Sequence, residues 1–168
     1  MGPAPHTAEG LASYLARTLD AELPHLRAIA DGPGTAAPNR PSGAGWSQRE
    51  ELGHLLDSAV NNHARIVRAA LEPAYEGPGY EQEGWVAVHR YREIPWTELV
   101  ELWRAHNRIL LPLIAGIPEA KLATPCKVGS SPPVTLGFLI DDYVLHMRHH
   151  LDQVLRRRPA TTYPRATA

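Results

Sequence analysis

The sequence predicts an all-α protein built as a four-helix bundle, and three observations carry that expectation. Four long stretches repeat apolar residues at three- and four-residue steps, the spacing that lines one face of a helix. No stretch of similar length alternates apolar and polar residues as a half-buried strand does. The segments between them are rich in glycine and proline, which punctuate rather than continue helices. Amphipathic helices of this kind hide their stripes against one another. A length of 168 residues fits a single domain spanning 1–168, large enough to bury a core without staples.

The first helix is expected from Thr7 to about Ala30, with Leu11, Leu15, Leu19, Leu23 and Leu26 inward and a bend or break at Pro24. A loop from Asp31 to Gly45 leads to Trp46. Ser47 followed by Glu50 then forms a capping box for the second helix. That helix carries Leu52, Leu55, Leu56, Ala59, Ile66, Val67 and Ala70 and stops before Pro73. From Glu72 to Gly84 a surface loop is expected, then a short helix over Gln82–Tyr91 that carries Trp85. Pro95 suits a first helical turn. Behind it Leu99, Leu102, Trp103, His106, Ile109, Leu110 and Leu113 make the third stripe, with a kink at Pro112. Residues 116–133 read as irregular, with a short extended piece near Lys127 and Val128. Thr135 caps the fourth long helix, which is expected to end near Arg158, and the last nine residues read as frayed.

Charge and hydropathy exclude several functions. A net charge of -1 gives no electrostatic basis for nucleic-acid binding, despite fifteen arginines. No apolar run approaches the ~20 residues that cross a bilayer, so no membrane partner is expected. The N-terminus lacks a basic segment followed by an apolar one, and Cys126 is the sole cysteine. A cytoplasmic location is the expectation. No phosphate loop, dinucleotide fingerprint or serine elbow is present.

The chemistry concentrates in Asp142-Tyr143-Val144-Leu145-His146-Met147-Arg148-His149-His150-Leu151-Asp152-Gln153, where three of nine histidines fall. His146 and His150 are four apart, one above the other on a helix, and can offer two imidazoles to one metal ion. At about 100° per residue both flank the apolar stripe, while His149 lies ~160° from its centre and faces water. On the second helix periodicity places His63 ~20° from the stripe's centre and His54 ~160° away, favouring a core His63 and a surface His54. Yet His54, Ser58, Asn61 and Arg65 recur at helical steps, a polar line that faces solvent or walls a cleft. Trp85, in a glycine-rich stretch, is a candidate lid over such a cleft. Cys126 beside Lys127 reads better as a semi-buried cysteine than as a thiolate.

Trp46-Ser47, Glu51-Leu52-Gly53-His54-Leu55-Leu56-Asp57 and His146-Met147-Arg148-His149-His150-Leu151-Asp152-Gln153 resemble the DinB/YfiT-like superfamily. Gly84-Trp85-Val86 and Pro95-Trp96-Thr97-Glu98-Leu99-Val100 resemble one of its branches. The resemblance spans Trp46 to Gln153. It implies a four-helix bundle, often dimeric, with a divalent metal held by His54, His146 and His150. Three neutral imidazoles leave coordination positions open, as catalytic sites do, and nitrogen ligands suit zinc or nickel. Asp57, Asp142 and Gln153 are candidates to hold the ligands' second nitrogens, and Ser58, Asn61, Arg65 and Trp85 are candidates for the cleft. The resemblance further implies a small-molecule substrate and transfer of a low-molecular-weight thiol, of the bacillithiol or mycothiol type, to an electrophile. A metal-dependent hydrolase and a non-catalytic, stress-related binding bundle are the alternatives. A homodimer is expected from the same resemblance. Val100, Leu111 and Ile114 add an apolar flank to the third helix, which serves either a partner or a more central burial.

Overall fold

The computed structural model describes residues 7–38, 45–160 and 162–164. The middle of the loop after the first helix and parts of the expected frayed C-terminus lie outside these residues. Four long helices dominate: α1 (Ala8–Ala28), α3 (Gln48–Leu71), α5 (Trp96–Ala115) and α6 (Leu136–Val154). Two short helices, α2 (Pro33–Ala36) and α4 (Gln82–His89), lie in the connections. In the bundle α1 packs against α5 and α6, and α3 packs against α5 and α6.

Local chemistry sets the helix starts. Thr7, Ser47 and Thr135 each accept a backbone N–H with the side chain, and Ser47 with Glu50 forms the full capping box. Pro24 and Pro112 sit near the ends of α1 and α5, and both helices run through them. Of the bend or break expected at Pro24, the break is absent. Few residues follow either proline, so little helix depends on the lost bond. α6 stops at Val154, short of Arg158. Arg156 takes a left-handed φ of 51°, the Arg157 N–H bonds Asp152 O, and Asp152 Oδ2 accepts from the Ala160 N–H at 2.8 Å.

The sequence shows no strand of useful length, yet three short strands form a sheet. β1 (Tyr75–Gly77) pairs in parallel with β2 (Pro125–Val128), which pairs antiparallel with β3 (Val134–Thr135). Only the expected extended piece near Lys127–Val128 was legible. Strands of two to four residues are too short for alternation to register.

α5 corrects the expected stripe. Its buried residues are Trp96, Leu99, Val100, Trp103, Asn107, Leu110 and Ile114, whereas Leu102 and Ile109 are 56% and 59% exposed. Those two lie ~110–130° from the centre of the buried arc. The flank containing Val100 and Ile114 is therefore core. Across the bundle, Tyr143 OH donates to Asn107 Oδ1 at 2.5 Å, satisfying a fully buried amide.

Two contacts set the frame of the site. Gln48 Nε2 donates to Val154 O at 2.6 Å, holding the start of α3 against the end of α6. Gly53 lies beneath the Tyr91 ring, and a Cβ there would meet Tyr91 Cδ2 at 2.1 Å, so this helix turn must lack a side chain. Among the described residues no helix is long and apolar enough to cross a membrane.

Candidate metal centre

With the start of α3 beside the end of α6, His54 meets His146 and His150. One potential ligand nitrogen from each lies within 4.8 Å of the others. His54 Nε2 and His146 Nε2 are 3.1 Å apart, and their rings meet edge-on at 75°. Two imidazoles on a tetrahedral ion, with metal–nitrogen bonds of ~2.0 Å, place their nitrogens about 3.3 Å apart. The spacing fits a shared ion.

His54 is fully buried, against the expectation from periodicity. Every residue from Glu51 to Ala59 is buried, so in this half of α3 no single stripe distinguishes core from surface. His63 instead lies half-buried against His106, with Nδ1 3.3 Å from His106 Nε2. The polar line of α3 walls a cavity: Ser58 and Arg65 line it, joined by Asn62. Asn61 turns back, its Nδ2 donating to Asp57 O.

The electrostatics suit metal binding. Burial, reinforced by His150, lowers the His54 pKa from 6.5 to about 3. Burial together with His150, His54 and His149 lowers His146 to about 2. Both rings are neutral near pH 7, with a lone pair available to an ion. One consequence can be measured on metal-free protein. Both folded values lie below the unfolded 6.5, so the unfolded chain binds more protons between them. The resulting stability is present above pH 6.5 and is lost as pH falls toward about 3. Unfolding free energies from urea titration should drop between about pH 7 and about pH 5, by on the order of 1 kcal/mol per pH unit per imidazole. A flat profile would contradict this burial.

The carboxylate that reaches a cluster imidazole is Glu51. His150 Nδ1 donates to Glu51 Oε2 at 2.9 Å, which leaves Nε2 for an ion. The three expected supports are engaged elsewhere. Asp57 accepts from Tyr91 OH at 2.6 Å and lies 3.2 Å from His89 Nδ1. Gln153 Nε2 lies 2.9 Å from His149 Nε2. Asp142 Oδ2 is 3.5 Å from Tyr163 OH, in the cavity wall. A carboxylate three residues before His54 was the available signal for Glu51, and proximity to His150 was invisible. Trp46 belongs to the motif that carries the resemblance, but its contact with the cluster was not foreseen. Its ring packs on His54 at 4.9 Å and its Nε1 donates to Glu83 at 3.1 Å, so α4 fixes it in place. His54 Nδ1 has no hydrogen-bond partner among the described residues, and packing alone orients that side of the ring.

His149 is half-buried rather than facing water, with Tyr163 and His150 5.6 Å and 5.2 Å away. Trp85 does not line the cavity but backs Tyr80, which does, at 5.2 Å. The cavity is an open cleft of about 290 Å³ whose walls include His146, Ser58, Tyr80, Asp142 and Arg65. Cys126 lines it too. Burial pushes that thiol up, and Lys127 pairs with Glu76 at 2.7 Å, so no thiolate is favoured.

A protein of Oceanobacillus iheyensis named "putative metal-dependent hydrolase" is 24% identical over 110 residues, 66% of this chain and 63% of that protein. The chain thus spans under two thirds of that relative's length. The solved structure of YfiT from Bacillus subtilis superposes with a TM-score of 0.79 at 17% identity. It covers 92% of this chain and 87% of that one. YfiT is described as a probable metal-dependent hydrolase with an unusual four-helix bundle topology, and at this identity the likeness shows the fold. The sequence model of the DinB superfamily matches residues 11–154, and the chain belongs to that superfamily.

Proposed function

We propose that this protein is a divalent-metal-dependent enzyme that binds a small molecule in the cavity and acts on it beside His146. The observation that carries the proposal is the convergence of three imidazoles, one of which, His146, also lines a cavity. His54, His146 and His150 would hold the ion, and Glu51 would keep the His150 Nε2 lone pair turned toward it. When bound, zinc, nickel or a similar ion would supply Lewis acidity and bring a water or thiol toward deprotonation near neutral pH. Tyr80 and Asp142 face the bound molecule. Burial raises the Asp142 carboxyl, which suits it to exchange a proton there.

Hydrolysis is the leading reaction, supported by the names given to the relatives. Thiol transfer to an electrophile is the second reading, resting on the superfamily resemblance. Because the Cys126 thiol is held protonated, the thiol would arrive with a co-substrate. Metal-loaded protein assayed against activated esters, amides and an electrophilic dye, with and without added thiols, separates these outcomes. Ester or amide cleavage without thiol supports hydrolysis, and turnover only with thiol supports transfer. Metal uptake without turnover on any of them would leave a binding bundle.

A homodimer belongs to the same proposal. Its main support is the superfamily resemblance, and Leu102 and Ile109, exposed two turns apart on α5, offer apolar side chains to a partner helix. Light scattering at micromolar concentration should report a dimer, and Leu102→Glu with Ile109→Glu should yield monomers. A wild-type monomer would contradict it.

A further inference from the structure

Arg65 is only 8% exposed and forms part of the cavity wall. Its Nη2 donates to Pro78 O at 3.3 Å, and its Cζ lies 5.9 Å from the Tyr80 ring centroid. No carboxylate pairs with it among the described residues, although every aspartate and glutamate of the sequence is described. Two less buried arginines do find carboxylates. Arg49 pairs with Asp31 at 2.9 Å, and Arg157 bonds both Glu22 and Asp152. A guanidinium carries five N–H donors, and taking one out of water without an anion is costly. The cavity therefore holds a buried cation for which the described residues provide no counter-ion.

We propose that the substrate carries a carboxylate and that Arg65 binds it, while the bond to be altered lies at the histidine cluster. This inference rests on the metal-dependent reading of that cluster. A guanidinium presents a flat fork that matches a carboxylate with two parallel hydrogen bonds. Asp142 lines the same cavity, so a singly charged carboxylate suits the site better than a phosphate dianion. The helix also separates the two ends of the substrate. Arg65 follows His54 by eleven residues, which is three turns on nearly the same face and about 16 Å of rise. Helical side chains lean toward the N-terminus and shorten that span, but the anionic group still sits away from the reacting bond. The carboxylate is a handle, and the histidine cluster acts elsewhere on the molecule.

The test uses the full chain freed of metal by a chelator, with hexanoate and the uncharged hexanamide as probes in calorimetric titration. Wild-type protein should bind hexanoate at least about tenfold more tightly than hexanamide, the scale of a charge-assisted hydrogen bond. Arg65→Gln should bring the two probes level. No saturable hexanoate binding, equal binding of both probes by wild type, or a preference that survives in Arg65→Gln would each overturn the proposal. The wild-type comparison stands even where the variant fails to fold. Zinc titration, run separately, tests the other reading. A chain that takes zinc without preferring hexanoate loses only the carboxylate site, and one that prefers hexanoate without taking zinc keeps that site and loses the metal.

Discussion

Replacing His146 with alanine is expected to remove most zinc binding, a larger loss than the ~10–100-fold that follows from losing an outer hydrogen-bond partner. His146 Nε2 lies 3.1 Å from His54 Nε2, and its ring centroid is 4.5 Å from that of His150, so the site cannot close without it. Glu51→Gln should fall in that ~10–100-fold range, because the amide no longer fixes the His150 proton on Nδ1 with a full charge. His149→Ala should change affinity least. Its Nε2 is engaged with Gln153, and it touches the cluster only through the edge of His150. Calorimetric titration against a competing chelator measures all three. Equal losses for His146→Ala and His149→Ala would show that the ligand set is wrong.

The second large effect concerns the core. Trp103→Ala is expected to cost about 3–5 kcal/mol, since the indole is fully buried on α5 and its removal leaves a cavity. Trp103→Phe should cost much less, because Trp103 Nε1 has no hydrogen-bond partner to lose among the described residues. Trp96 makes the contrast. Its Nε1 donates to Leu26 O at 2.9 Å, tying α5 to the end of α1, so Trp96→Phe removes that bond and leaves the carbonyl with the Ile29 N–H alone, a cost of about 0.5–1.5 kcal/mol. Urea unfolding of the three variants should rank Trp103→Ala as most damaging and Trp96→Phe above Trp103→Phe. Equal costs for the two phenylalanine variants would mean that the indole N–H of Trp96 contributes nothing.

Helix starts were legible because caps are local. Thr7, Ser47 with Glu50, and Thr135 act within four residues of chain, and the structure uses each as the sequence suggests. Helix ends were less so. The stop at Val154 depends on Asp152 collecting the Arg157 side chain and the Ala160 N–H. Proline proved a poor stop signal where little helix remained to be broken.

The sequence by itself determined the helical class, the capped starts and the pairing of His146 with His150, since these depend on spacing along one helix. Periodicity misplaced His54, Leu102 and Ile109 because it assumes one buried stripe per helix. Near its start α3 is enclosed on all sides, and the buried arc of α5 is set jointly by α1 and α3. Resemblance to the superfamily named His54, but only tertiary structure brought it within reach of α6. The same packing decided that Glu51 rather than Asp57 supports the cluster, and that Arg65 lies in its cavity with no counter-charge among the described residues. These are contacts between residues far apart in the chain, such as the 99 positions separating Glu51 from His150. A side chain's polarity shows what it can bond, but its partner is fixed only when helices dock and water is expelled between them.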